Sequence, residues 1–171
     1  VFRMRWLVSI ACVLASVIAA AAGSEERMRV YRLHGYGSDE RLRLETAPIP
    51  EPGAGYVRIR IHAASVNPID WKIRSGLLKE LYPVTLPYIP GRDVAGTIDA
   101  IGPGVEGWRI GDAVMAILEL MPPGGGAFAE YVLVAARDIA PKPASLSFDA
   151  AAGVPLVSMT AWRAVIEAAN V

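Results

Sequence analysis

The feature that most constrains this chain is its punctuation. Its 171 residues include 16 glycines and 13 prolines, and after Met28 these fall so regularly that no long helix fits before Ser147. Proline lacks the N–H that a helix interior or central strand needs, and glycine takes up turns that other residues resist. Met28 to Leu33 reads as a first strand, Gly35 to Ser38 as a turn, and Leu42 to Glu45 as a second strand. Pro48, Pro50, Pro52, Gly53 and Gly55 then form a rigid loop. From Tyr56 the side chains alternate, with Val57, Ile59 and Ile61 on one face and Arg58, Arg60 and His62 on a solvated one. Pro83, Pro87 and Pro90 make Tyr82 to Pro90 an extended connection. Strands follow at Val94 to Ile101, Ala113 to Leu118 and Phe128 to Val134. Gly96, inside the first of these, marks a bulge or a close backbone approach. The pattern predicts a mainly β fold with short helices (α+β), a barrel or a sandwich.

One short helix interrupts the strands in Ala64 to Gly76, ASVNPIDWKIRSG. Asn67 suits the N-cap, Pro68 the first helical position and Asp70 the positive end of the dipole, while Gly76 suits the C-terminal stop. Read locally, Asn67 is a capping residue. After Ser147, which can cap Phe148 to Gly153, an alanine-rich helix is expected from Leu156 to Ala169. No GxGxxG turn and no second βαβ unit follow it.

Four stretches give the chain a more specific reading: SVNPID (Ser65 to Asp70), PGRDVAGTI (Pro90 to Ile98), GGAFAEY (Gly125 to Tyr131) and PLVSMTAW (Pro155 to Trp162). In this order they resemble the medium-chain dehydrogenase/reductase superfamily, specifically the N-terminal catalytic domain of its zinc-free quinone oxidoreductase (zeta-crystallin-like) branch. The resemblance implies a GroES-like β-barrel over residues 28–146 and a helical lead-out over 147–171, truncated before a Rossmann domain. It also implies NADPH as cofactor, hydride transfer to quinones or α,β-unsaturated carbonyls, and a homodimer at full length.

The site residues the resemblance implies are Asn67, donating an amide hydrogen bond to substrate or cofactor, and Thr160 with Val157 beside the nicotinamide ring. No metal is expected. A zinc dehydrogenase would carry Cys and His where Asn67 and Arg92 stand, and zinc takes thiolate, imidazole or carboxylate ligands. Asp93 is expected to tie the barrel to the cleft or to be a satisfied structural carboxylate. Trp71 and Tyr82 are candidates for the cleft wall, although a Trp one turn into a helix more often packs in a core. Gly125 and Gly126 are candidates for a closing loop, or an ordinary turn. Tyr88 and Tyr131 are candidate proton donors, with solvent as the alternative.

Val1 to Ala22 has a basic start (Arg3, Arg5), an apolar run and an Ala20-Ala21-Ala22 ending, which reads as an export signal within a leader of residues 1–27. The alternatives are an uncleaved anchor, or a cytoplasmic protein starting at Met28. Without Arg3, Arg5, Arg27, Glu25 and Glu26 the body keeps 14 basic and 15 acidic residues of the original 17 and 17, which offers no field for nucleic acid or anionic membrane. The one cysteine, Cys12, falls in the leader, so the body contains no disulfide. The competing functional reading is a non-catalytic GroES-like binding module or a degenerate fragment; a co-chaperonin has less support.

Overall fold

The computed structural model of the chain describes residues 26–169. The leader reading and Cys12 lie outside the described residues, save for Glu26 and Arg27. The strands are β1 (Arg27–Leu33), β2 (Leu42–Pro48), β3 (Tyr56–Ser65), β4 (Asp93–Ile101), β5 (Ala113–Ile117), β6 (Tyr131–Ala135) and β7 (Ile139–Pro141). The helices are α1 (Pro68–Ser75), α2 (Phe148–Ala152) and α3 (Pro155–Trp162). The architecture is the expected GroES-like one, mainly β with short helices.

Two antiparallel sheets form, β1-β2 and a five-stranded sheet of order β6-β3-β4-β5-β7. Their hydrogen bonding does not close into one barrel. Instead, Phe128 to Glu130 and Tyr88 stitch them together: Tyr31 N donates to Phe128 O at 2.8 Å, Glu130 N to Arg29 O at 3.1 Å, and Leu33 and Tyr88 exchange a pair at 2.7 and 2.9 Å. The strand expected from Phe128 therefore begins at Tyr131, because Phe128 to Glu130 serve the first sheet before the chain joins β3. The second strand outruns its expected end at Glu45 because Ala47, paired with Met28, is buried.

The alternation in β3 does what it predicts. Val57 and Ile59 are fully buried with Val94, Ile98, Val114 and Val132, each such side chain contributing about 1.5–3 kcal/mol. Arg58 departs from the solvated-face expectation. Its guanidinium is mostly covered and grips Asp99 at 2.7 Å and Glu51 at 2.8 Å, fixing the proline-rich loop to β4. Gly96 is a close approach: a Cβ there would stand 2.1 Å from the Arg60 carbonyl oxygen, beside the register shift between Ile61 and Ala63.

Ser147 caps α2 as expected, its Oγ accepting from Ala150 N at 3.1 Å. Ala151 and Ala152 pack on Ala95 and Ala63, so α2 sits against β3 and β4 and delivers α3 beside the start of β4. The helix expected to run on to Ala169 widens after Trp162 into a π turn, Arg163–Ala168.

Candidate functional site

β3 ends at Ser65 and β4 begins at Asp93, and these two residues are register partners. The junction between strand and α1 therefore sits over the first residue of β4. Asn67 opens α1 in extended backbone, and the Asp70 carboxylate accepts its N–H at 2.7 Å. The Asp70 N–H takes the main-chain oxygen of Asn67 at 3.0 Å and is shared with the Asn67 side chain, which completes a capping box. That side chain turns to β4. Its Nδ2 donates to Asp93 Oδ2 at 3.0 Å and to Ser65 Oγ at 2.9 Å. The capping residue expected from sequence and the site residue implied by resemblance are thus one residue, capping α1 and facing Asp93 with its amide nitrogen.

Asp93 is fully buried and accepts three donors: Ser65 Oγ at 2.8 Å, Asn67 Nδ2, and through Oδ1 the Leu156 N–H at 3.0 Å. Both expectations for it hold together, since it is a satisfied carboxylate and the tie between the sheet, the Asn67 junction and α3. As at any helix start, the early N–H groups of α3 have no helical partners, and Asp93 takes that of Leu156. The contributions of Ser65 and Leu156 were not anticipated. Ser65 is visible in SVNPID as a hydroxyl two residues before Asn67, whereas a main-chain N–H carries no sequence signal.

On α3, Val157 is 55% exposed and Thr160 is exposed, its hydroxyl donating to Leu156 O at 2.8 Å. Thr160 lines a cleft of about 360 Å³ with Arg92, Leu118, Leu156 and Met159. Arg92 is committed to this wall, donating from Nε and Nη2 to Leu118 O at 3.0 and 2.7 Å. Asn67 does not line that cleft; the connection between Asn67 and α3 runs through Asp93.

Other candidates fall away from the junction. Trp71 is 48% exposed, not core, because it lies on the outer face of α1 with Lys72 Nζ over its ring. Tyr82 is also exposed. The Tyr88 hydroxyl donates to Leu120 O at 2.9 Å, and burial, with the Asp70 charge second, pushes it up to about 12. Tyr131 lies with its ring under Arg58. Gly125 and Gly126 form no free flap. Gly126 N, Ala127 N and Phe128 N bond to Ile89 O, Gly91 O and Pro90 O at 2.8, 3.0 and 2.9 Å, and a Cβ at Gly126 would stand 2.4 Å from the Pro90 oxygen. Burial raises the Asp70 carboxyl above its ordinary value, against the lowering effect of the Asn67 and Gly91 N–H groups. Among the described residues no group of three His, Cys, Asp or Glu side chains is placed to share a metal ion.

Comparison with known proteins identifies the fold and its relatives. The alcohol dehydrogenase GroES-like domain is matched over residues 53–144. The chloroplastic quinone-oxidoreductase homolog of Spinacia oleracea is 37% identical over 141 residues, 82% of this chain and 42% of its own length. Among solved structures, human synaptic vesicle membrane protein VAT-1 homolog-like superposes with TM-score 0.78 at 34% identity, covering 85% of this chain and 45% of that one. The quinone oxidoreductase of Coxiella burnetii gives 0.75 at 34%, covering 83% and 45%. A mycobacterial protein solved with NADPH gives 0.73 at 32%, covering 84% and 42%. The chain thus spans less than half the length of these relatives. With more than half of its own residues matched by the domain, and three of the four motifs meeting at Asp93, the chain belongs to the alcohol dehydrogenase GroES-like family, among the quinone oxidoreductases of the medium-chain dehydrogenase/reductase superfamily.

Proposed function

We propose that this chain is the substrate-facing part of an NADPH-dependent oxidoreductase that passes hydride to quinones or α,β-unsaturated carbonyls without zinc. The observation that carries this reading is the Asp93 carboxylate, which holds Asn67 and the start of α3 in one hydrogen-bonded unit. The quinone oxidoreductases among its relatives, and the NADPH in a neighbouring structure, support the substrate and cofactor class.

The residues present fit the nicotinamide end of the cofactor and no other part of it. Val157 offers exposed apolar surface for a ring, and the Thr160 hydroxyl, whose proton goes to Leu156 O, keeps lone pairs for a carboxamide. Every ladder among the described residues is antiparallel, so the parallel βαβ unit that holds an adenosine diphosphate is not among them. When bound, NADPH supplies the hydride. What these residues do is hold the ring face against α3 and wall the cleft with Leu118 and Met159. Amide and guanidinium groups at Asn67 and Arg92 are not zinc ligands, so the acceptor must be electron-poor without a Lewis acid at those positions. Solvent supplies the proton that completes reduction, the Tyr88 hydroxyl being committed to Leu120 O.

The test is turnover of the full-length protein with NADPH and a panel of quinones, enones and enoyl thioesters, with and without a chelator. NADPH oxidation that survives chelation is expected. Absence of turnover and of NADPH binding sinks the reading in favour of a binding module.

A further inference from the structure

Arg92 immediately precedes β4 and lines the same cleft as Thr160, with Leu118, Leu156 and Met159 as apolar neighbours. Three hydrogen bonds lock it to one residue. Nε and Nη2 donate to Leu118 O at 3.0 and 2.7 Å, and Arg92 O accepts from Leu118 N at 2.6 Å. A guanidinium is a rigid plane carrying five N–H groups. The pair on its Nε edge is spent on Leu118 O. The outer pair at the tip, one N–H on each Nη, has no side-chain or main-chain acceptor among the described residues. No carboxylate among them pairs with its charge either, since Glu119 and Asp138, the acids on this cleft, lie against Arg137 at 3.6 and 3.8 Å. The cleft therefore holds a cation whose plane is fixed and whose outer fork is unspent.

On the reading that hydride is passed in this cleft, we propose that Arg92 is a catalytic residue: its outer N–H pair takes the carbonyl oxygen of the quinone or enone and holds the negative charge that forms there. The charge follows from the electron count. Hydride adds to the β carbon of the conjugated carbonyl, the C=C pair shifts toward the carbonyl carbon, and the C=O π pair moves onto oxygen. The acceptor is left as an enolate with one negative charge while NADPH becomes NADP⁺, and a solvent proton then neutralises the product. Quinone carbonyls are conjugated in the same way. Donors fixed before the charge develops cost no reorganisation, and apolar walls strengthen them. A neutral carbonyl gains less from the fork than an oxyanion does, so the contact favours the transition state over the bound substrate.

The test makes two measurements on the full-length protein. The first is kcat over a series of enones and quinones of graded electron deficiency. Arg92→Gln is expected to lose about 100-fold with the poorest acceptor, the scale of one oxyanion donor removed, and progressively less as the acceptor becomes more electron-poor, while KM for NADPH holds. Arg92→Lys keeps the charge without the fork and falls between. Unpinning Leu118 alone would slow every acceptor alike, and an equal loss across the series overturns the proposal.

The second measurement needs only the wild type, so it stands even if the variants fold poorly. 4-Nitrophenol, whose anion has its own absorbance, mimics the reduced acceptor. It is expected to compete with the quinone and to ionise about tenfold more readily bound than free. Binding with unchanged acidity, or failure to compete with the quinone, overturns the proposal. The two failures are distinguishable: NADPH turnover with an unshifted phenol leaves the hydride reading standing and removes Arg92 from it, whereas a shifted phenol in a protein that oxidises no NADPH leaves an oxyanion site and removes the hydride reading.

Discussion

Replacing Gly96 with alanine isolates how much of this fold depends on one missing methyl group. The β-carbon would lie 2.1 Å from the Arg60 carbonyl oxygen and 2.8 Å from Ile59 Cγ2. Carbon and oxygen of adjacent strands ordinarily approach to about 3.3–3.6 Å, so β3 and β4 must separate by roughly 1.2 Å where neighbouring strands sit about 4.8 Å apart. The oxygen belongs to the backbone and cannot swing away as a side chain would. Ile59 and Ile98, fully buried on the same ladder, move with it. Overpacking of a dense core costs about 1–3 kcal/mol, and the strained ladder places Gly96→Ala at the top of that range. Gly104→Ala is the control. Its φ of 75° is unfavourable for alanine, but nothing stands within 4 Å of the added carbon, so it carries only the left-handed penalty of about 1–2 kcal/mol. Urea unfolding followed by circular dichroism compares them: Gly96→Ala should lose about 3 kcal/mol, near 10 °C in Tm for a domain of this size. If Gly96→Ala costs no more than Gly104→Ala, the argument from close approach is wrong.

Three further outcomes are expected. Burial raises Asp70 above 3.8, so its contribution is fully present below the unfolded value and is lost as pH rises through the folded one; Asp70→Asn should gain on wild type between about pH 3 and about pH 7 in urea titrations, and the opposite trend would contradict the assignment. Tyr88→Phe leaves the Leu120 carbonyl without its 2.9 Å donor, which should cost about 1 kcal/mol in unfolding experiments. It should leave the pH–rate profile of the full-length enzyme unmoved, and a displaced profile would show that this phenol transfers protons after all. Thr160→Val loses a bond confined to its own helix, so Tm should stay within about 2 °C; NADPH affinity should fall about threefold, with Thr160→Ser retaining it, and a large Tm loss with unchanged affinity would make Thr160 structural.

The strands and caps were legible because their signals are local. Alternation from Val57 to Ile61 has a period of two, Ser147 precedes a helix, and Gly76 ends one in the left-handed region. What escaped is nonlocal. The role of Arg58 depends on Asp99, 41 residues away, and Phe128 to Glu130 read as strand although their first obligation is to β1. Asn67 is the instructive residue, since local rules give the cap and the family pattern gives the site. Only the placement of Ser65 and Asp93 around it gives the direction of its hydrogen bonds.

The pinning of Leu118 and Gly126 carries a consequence for how such a protein can vary. Leu118 N is fixed to Arg92 O at 2.6 Å and Gly126 N to Ile89 O at 2.8 Å, so the intervening excursion starts and finishes on neighbouring residues of one short segment. It is a loop with anchored feet. Lengthening such a loop costs only about 0.6 kcal/mol for each doubling. Glu119 on this excursion borders the cleft, so insertions between the feet can reshape what the cleft admits while the Asp93 network stays where it is.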